Sequence, residues 1–204
     1  MRPDAKPTGP LLAFDTSAAH CAAALLWPDG RCLNRLEPMA KGQAERLIPL
    51  LEELLTDTGL AWHDLGALAV GTGPGNFTGV RIAVAAARGL ALGLGIPAIG
   101  VTRLEALAQG LPRPLRVVED ARQGLAYVQD FPDGPAQLLS RPDPSPGAVT
   151  GNAAGPASLP PAMPLAEAIA RIAASRAPGP RPAPFYLRGA DAAPPSDPPP
   201  VILP

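Results

Sequence analysis

The sequence predicts an α/β fold on mixed sheets, in two lobes of which the second is reduced. Three observations carry that reading. Three strand-like segments open the chain before any helical period begins. Each later strand up to residue 109 is followed by a helix that can cross back over a sheet. The strand order then recurs, shortened, after residue 110. A plain doubly wound dinucleotide fold would open on one strand and its crossover helix, and this chain does not.

Residues 1–10, MRPDAKPTGP, read as a flexible arm. Leu11 to Phe14 is a continuous apolar run that ends in Asp15-Thr16-Ser17, a strand delivering polar groups to its carboxyl end. Cys21 to Trp27 is the second strand, Pro28-Asp29-Gly30 the turn, and Arg31 to Leu36 the antiparallel return. From Ala44 to Thr58, leucines at 47, 50, 51, 54 and 55 recur at helical spacing, with charged residues mostly opposite. Pro49 requires that helix either to begin near Leu47 or to kink. Leu68 to Val70 is the next strand, Asn76 to Leu92 a helix, and Pro97 to Val101 a strand. Thr102 and Glu105 are spaced as a capping box for a helix through Ala108. In the second half, Leu115 to Val118, Leu125 to Gln129, Ala136 to Leu139 and Ala148 to Thr150 read as strands, and Leu165 to Ala174 as an alanine-rich helix. These elements set the lobes at 11–109 and 110–188, with an extended tail over 189–204.

A formal net charge of -1 excludes a basic field able to hold nucleic acid unaided. The 29 prolines crowd toward the second half, which makes that lobe rich in loops. Cys21 and Cys32 fall in neighbouring strands; a bridge is geometrically open, and two free thiols in a reducing cytosol are the expectation. The N-terminus has no signal-type apolar stretch, and Val80 to Ile99 carries Arg81 and Arg88 among its glycines. A cytoplasmic chain with no membrane span is expected.

Gly71, Gly73, Gly75 and Gly79, with Pro74, form a sharp turn opening into a helix of small residues. Free N–H groups at that helix start favour an anion. The spacing is neither GxxxxGK[ST] nor GxGxxG, and no lysine reaches a terminal phosphate. Two readings stand. Gly73, Gly75, Asn76, Thr78 and Arg81 contact an anion or nucleotide, or the turn serves close helix packing. Asp15 and Thr16, with Asp120 at the matching strand end of the second lobe, either bracket a magnesium-bound phosphate or cap turns. His20 and His63 stand apart and give no zinc spacing, so no metal site is expected. Ser17 lacks a G-x-S-x-G context, and no catalytic centre stands out.

LLAFDTSAAHCAAALL, AERLIPLLEELL, GTGPGNFTGVRIAVAAARGLALGLGIPAIGVTRLEALA and VVEDARQGLAYVQDF together resemble the TsaB family of bacterial tRNA threonylcarbamoyladenosine biosynthesis. Phe185-Tyr186-Leu187-Arg188, with Asp191 beyond, resembles its C-terminal signature. The resemblance implies a duplicated fold of the actin and sugar-kinase type. It also implies a non-catalytic relative of the subunit that threonylcarbamoylates adenosine 37 of tRNAs reading ANN codons. The implied partners are that catalytic TsaD-like subunit, a TsaE-like ATPase and, through the complex, tRNA, with a homodimer open to the chain alone. ATP and magnesium belong to the complex rather than to this chain. Carried over by residue, the partner surface draws on Ala44, Leu47, Leu51, Leu54, Val80, Val84, Ala87 and Leu90. Gln43 replaces a common histidine, Asn76 a usual serine, and Leu125 stands ahead of Tyr127 where a glutamate is common. The rival reading is a degenerate kinase-like ATP-binding protein or weak ATPase using Asp15, Asp120 and the Gly73 to Thr78 turn.

Overall fold

Strands β1 (Leu11–Asp15), β2 (His20–Leu26) and β3 (Cys32–Pro38) pair as the predicted antiparallel meander. The computed structural model describes residues 9–140 and 147–188; the arm over 1–8, the tail over 189–204 and with it Asp191 lie outside the described residues. Pro10, assigned to the arm, is tied down through a bond from the Gly66 N–H to its carbonyl, 2.8 Å long.

Helix α1 (Gln43–Asp57) leads to β4 (Ala67–Gly71), then α2 (Phe77–Leu94), β5 (Ala98–Val101) and α3 (Arg103–Ala108). Strand β4 lies parallel to β1, and β5 parallel to β4, which gives the sheet order β3-β2-β1-β4-β5. Pro49 stands inside α1, and the helix begins six residues before it, at Gln43. Pro49 and Glu45 are both exposed, so the Glu45 carbonyl that the proline leaves without a helical donor lies on the solvent side. Thr102 and Glu105 form the capping box that the spacing predicts.

The second sheet contains β6 (Leu115–Asp120), β7 (Ala126–Phe131), β8 (Gln137–Leu139) and β9 (Ala148–Thr150), in the order β8-β7-β6-β9. Pairing is antiparallel from β6 to β7 to β8, and parallel from β6 to β9. Order and sense therefore match β3-β2-β1-β4 of the first sheet, with no strand in the place of β5 among the described residues.

The two faces of the first sheet are built from different side chains. Leu12, Phe14, Leu25, Leu68 and Val70 point toward α1 and α2. Burial of each contributes roughly 1.5–3 kcal/mol. On the other face lie Ala13, Ala22, Ala24, Ala67 and Ala69. Small side chains there let the alanine-rich helix α4 (Leu165–Ala174) settle closely through Ala166, Ala170 and Ala173. This corrects the boundary at residue 110: α4 belongs to the second half of the sequence but covers the first sheet. Cys21 points to the α1 face and Cys32 packs toward the α4 face, so the sheet itself separates the two free thiols.

Close approach fixes where α2 sits. A Cβ on Gly79 would lie 1.9 Å from the Thr16 carbonyl oxygen, whereas one on Gly89 would meet nothing within 4 Å. Gly79→Ala is expected to cost about 3 kcal/mol through overpacking. Gly89→Ala should stabilise by about 1 kcal/mol through helix propensity. Urea unfolding of the two variants checks both signs.

A cleft between the lobes and an exposed face of α2

The carboxyl end of β1 turns its polar groups inward. Asp15 is fully buried; its Oδ1 accepts from the Ser17 N–H at 3.0 Å and the Ser17 hydroxyl at 2.8 Å, with His20 Nε2 2.9 Å away. Burial disfavours the charged carboxylate, but the His20 bond, the Arg103 charge and the Ser17 N–H outweigh it and hold the pKa below its ordinary value. Asp15 Oδ2 has no hydrogen-bond partner and lies where a side chain on residue 71 would stand. The carboxylate thus sits between serine and histidine. An imidazole in the middle is what activates a serine, so this order serves structure. Burial pushes the thiols of Cys21 and Cys32 up to about 11, away from thiolate chemistry.

The first turn of α2 closes on this end of β1. The Thr16 hydroxyl donates to the Gly79 carbonyl at 2.6 Å, and the Asn76 N–H donates to the Ser17 carbonyl at 2.7 Å. Asn76 then caps α2, its Oδ1 accepting from the Gly79 N–H at 3.0 Å. Gly73 has φ +89, a left-handed conformation that favours glycine, and its carbonyl accepts from the Arg103 N–H at 2.7 Å. The close-packing reading accounts for Gly71, Gly75 and Gly79.

The second lobe supplies the opposite wall. Arg103 Nε donates to Glu119 Oε2 at 2.7 Å, an ion pair almost shut off from water. Glu119 Oε1 also accepts from the Asn152 N–H at 2.8 Å. Asp120 Oδ1 accepts from the Arg122 N–H at 3.0 Å, the same turn-closing contact that Asp15 makes with Ser17. Between these walls lies a cleft of about 780 Å³, lined among others by Gly75, Asn76, Thr78, Arg103, Asp120 and Arg122.

Of the anion or nucleotide set, the structure brings Gly75, Asn76, Thr78 and Asp120 to the cleft. Asp15 and Thr16 are enclosed behind the α2 turn, so Asp15 cannot bracket a metal with Asp120. Arg81 turns away; its guanidinium lies 3.9 Å from the Phe77 ring centre, and its Nε donates to the Tyr186 hydroxyl at 3.0 Å. Among the described residues, no three His, Cys, Asp or Glu side chains gather as a metal cage. Sequence reasoning missed Arg103, Glu119 and Asn152, which ordinary propensity does not mark.

The predicted partner surface needs a larger correction. Leu47, Leu51, Leu54, Val80, Val84 and Ala87 are core, each at most 3 % exposed; only Ala44 is exposed and Leu90 half-buried. A leucine stripe at helical spacing faces its own sheet first. The outer side of α1 carries Glu45, Glu52, Glu53 and Asp57. The outer side of α2 is different: Phe77, Ala85, Gly89, Leu92 and Gly93 are exposed, with Leu92 at 76 %, and Arg81 and Arg88 stand on the same side among them. By length and composition α2 is apolar enough to cross a membrane, yet one whole side is sealed on the sheet.

A family model described as "TsaD: tRNA N6-adenosine threonylcarbamoyltransferase" matches residues 37–140. The tRNA threonylcarbamoyladenosine biosynthesis protein TsaB of Escherichia coli is 41% identical over 126 residues, 59% of this chain and 54% of that protein. TsaB of Bacillus subtilis is 38% identical over 124 residues, 58% of this chain and 53% of that protein. The chain thus spans about half the length of the curated relatives it matches. A Pseudomonas aeruginosa structure, described as similar to peptidase YeaZ, is 31% identical with a TM-score of 0.73, over 88% of this chain and 100% of that one. YeaZ from the same organism is 32% identical with a TM-score of 0.66, over 82% and 90%.

The depressed pKa of Asp15 fixes the sign of its pH dependence. Its contribution is present above the unfolded value near 3.8 and is lost as pH falls through the lower folded value. Asp15→Asn should therefore cost about 1–3 kcal/mol at pH 7 and reduce the loss of stability below about pH 4. Urea midpoints collected from pH 7 to pH 3 check this; parallel curves for the two proteins would refute it.

Proposed function

The chain belongs to the TsaB/YeaZ family, and on that premise we propose that it is the non-catalytic partner of a TsaD-like threonylcarbamoyl-transferase in tRNA threonylcarbamoyladenosine formation. The observation that carries the reading is the outer face of α2: from Phe77 to Gly93 it exposes Phe77, Ala85, Gly89, Leu92 and Gly93, small or apolar residues, together with Thr78, Arg81 and Arg88. Ala85 and Gly89 let another helix approach closely, while Phe77 and Leu92 supply apolar area at the two ends. In this reading α2 replaces the α1 and α2 core residues as the contact surface. The acidic outer side of α1 guides approach rather than providing buried area.

The finer assignments follow from the same reading. The two sheets are repeats of one actin-like unit, the second reduced, among the described residues, to a single parallel bridge between Thr150 and Leu159 where the first has β5. The TsaE-like ATPase and tRNA meet this chain through the complex, and the chain alone pairs with a second copy through α2. It works in the cytoplasm and brings no cofactor; ATP and magnesium enter with the partners. A net charge of -1 agrees with leaving most RNA contact to them. The rival ATPase reading keeps the cleft but loses Asp15, which is enclosed and held by Ser17 and His20.

Titration of the purified TsaD-like subunit tests the surface. Ala85→Glu and Leu92→Glu should each weaken binding at least about tenfold, roughly 1.4 kcal/mol, with the melting temperature unchanged. Ala87→Glu, buried in the core, should unfold the chain instead. Wild-type affinity in both surface variants would sink the proposal.

A further inference from the structure

The last described segment, residues 182–188, forms no helix or strand, yet it touches both lobes in succession. Pro182 lies against Gly100 of β5, where a Cβ would be 3.5 Å from the proline ring. The Phe185 N–H donates to the Thr72 carbonyl at 2.8 Å, just past the end of β4. Tyr186 stacks on Phe77 with ring centres 5.2 Å apart, and its hydroxyl accepts from Arg81 Nε. Those contacts belong to the first lobe. Leu187 then joins the apolar cluster of Leu104, Leu115 and Tyr127. The Arg188 guanidinium donates to the Ala121 carbonyl at 3.2 Å and to the Gln123 side chain, both in the turn between β6 and β7.

Phe185, Tyr186, Leu187 and Arg188 all line the cleft. Among the described residues the Arg103–Glu119 pair also links the two lobes, as does the packing of Leu104 and Leu107 on Leu115, Val117 and Tyr127, and these buried contacts form the floor. The segment crosses at the mouth. Its attachments differ in strength. Phe185 and Leu187 anchor through a backbone bond and apolar burial. Tyr186, 42 % exposed, holds through a stack and one hydrogen bond. Arg188 grips a turn whose Arg122 and Gln123 both have positive φ, at 62 and 53 degrees, a conformation that side-chain-bearing residues adopt at a cost. The turn is closed by its own bonds, from the Ala121 N–H to the Leu125 carbonyl at 2.9 Å and from the Leu125 N–H to the Arg122 carbonyl at 3.0 Å, and Arg188 braces it from outside.

We propose that residues 182–188 are a clasp that holds the two lobes together across the mouth of the cleft and so controls access to it. Tyr186 and Arg188 are its two fasteners, one on each lobe. With either removed, the second sheet swings on the floor contacts, and the turn between β6 and β7 loosens with it. The clasp is formed within this chain, and its Tyr186 fastener stands on Phe77 and Arg81, at one end of the α2 face assigned above to the partner.

Hydrogen exchange of the full chain, read by mass spectrometry, tests it. Tyr186→Ala and Arg188→Ala each remove a side chain that the core does not need, so both variants should fold. In each, amides of β6, β7 and the turn joining them should exchange about tenfold faster, as should those of the first turn of α2. Amides of β1, β2 and β3 should keep their wild-type rates. Wild-type exchange in either variant, or an equal rise across the whole chain, would overturn the clasp.

Discussion

The contact on which the rest of the molecule depends is the one between the Thr16-Ser17 backbone and the first turn of α2. Two carbonyl oxygens there occupy space that any side chain on Gly75 or Gly79 would need. The Thr16 hydroxyl and the Asn76 amide then bond across the gap, so the approach is both forced and satisfied. Because this fixes the start of α2, it also fixes the near wall of the cleft, the stance of Phe77 and Arg81, and the direction in which the outer face points. Interiors packed this tightly transmit a displacement rather than absorb it.

The same contact explains why polar residues suggestive of chemistry are engaged with one another here. Asp15, Thr16 and Ser17 sit at the strand end where open α/β sheets place their ligands. In this chain they turn toward one another, toward His20 and toward α2. Each hydrogen bond there compensates a group removed from water, and an orphaned partner in such a place costs about 1–3 kcal/mol. On the opposite wall, Glu119 is engaged by Arg103 and Asn152 in the same manner. What remains accessible is a cleft in whose wall Arg103 Nε is paired with Glu119 while the buried Arg103 Nη1 has no partner, beside a helix whose outer side mixes small and apolar residues with Arg81 and Arg88.

Most secondary structure was legible from local pattern. The meander follows from apolar runs broken by Pro28-Asp29-Gly30, α1 from its leucine spacing, and α3 from Thr102 and Glu105; α4 ends where its alanine run ends. Placement was harder. Helix α2 is apolar and small on nearly all sides, so its sequence does not say which side meets the sheet. Six of the eight interface positions fell on the stripe that the chain keeps for itself, because an amphipathic face reports burial without reporting against what. The pair Arg103–Glu119 and the Asp15–His20 contact join residues whose proximity only the fold creates. The Phe185 to Arg188 signature was visible, but not that it reaches both lobes.

The return of α4 to the first sheet has a consequence for how the chain is made. The alanine-lined face of β1, β2 and β4 is complete after about half of synthesis, yet the helix that seals it comes from residues 165–174. Until those residues leave the ribosome, a broad oily surface stands bare in an otherwise assembled lobe. An emerging chain that had already paired these strands would expose that face until α4 arrived, the condition that favours aggregation. A premature stop between the two sheets would leave that face permanently unsealed.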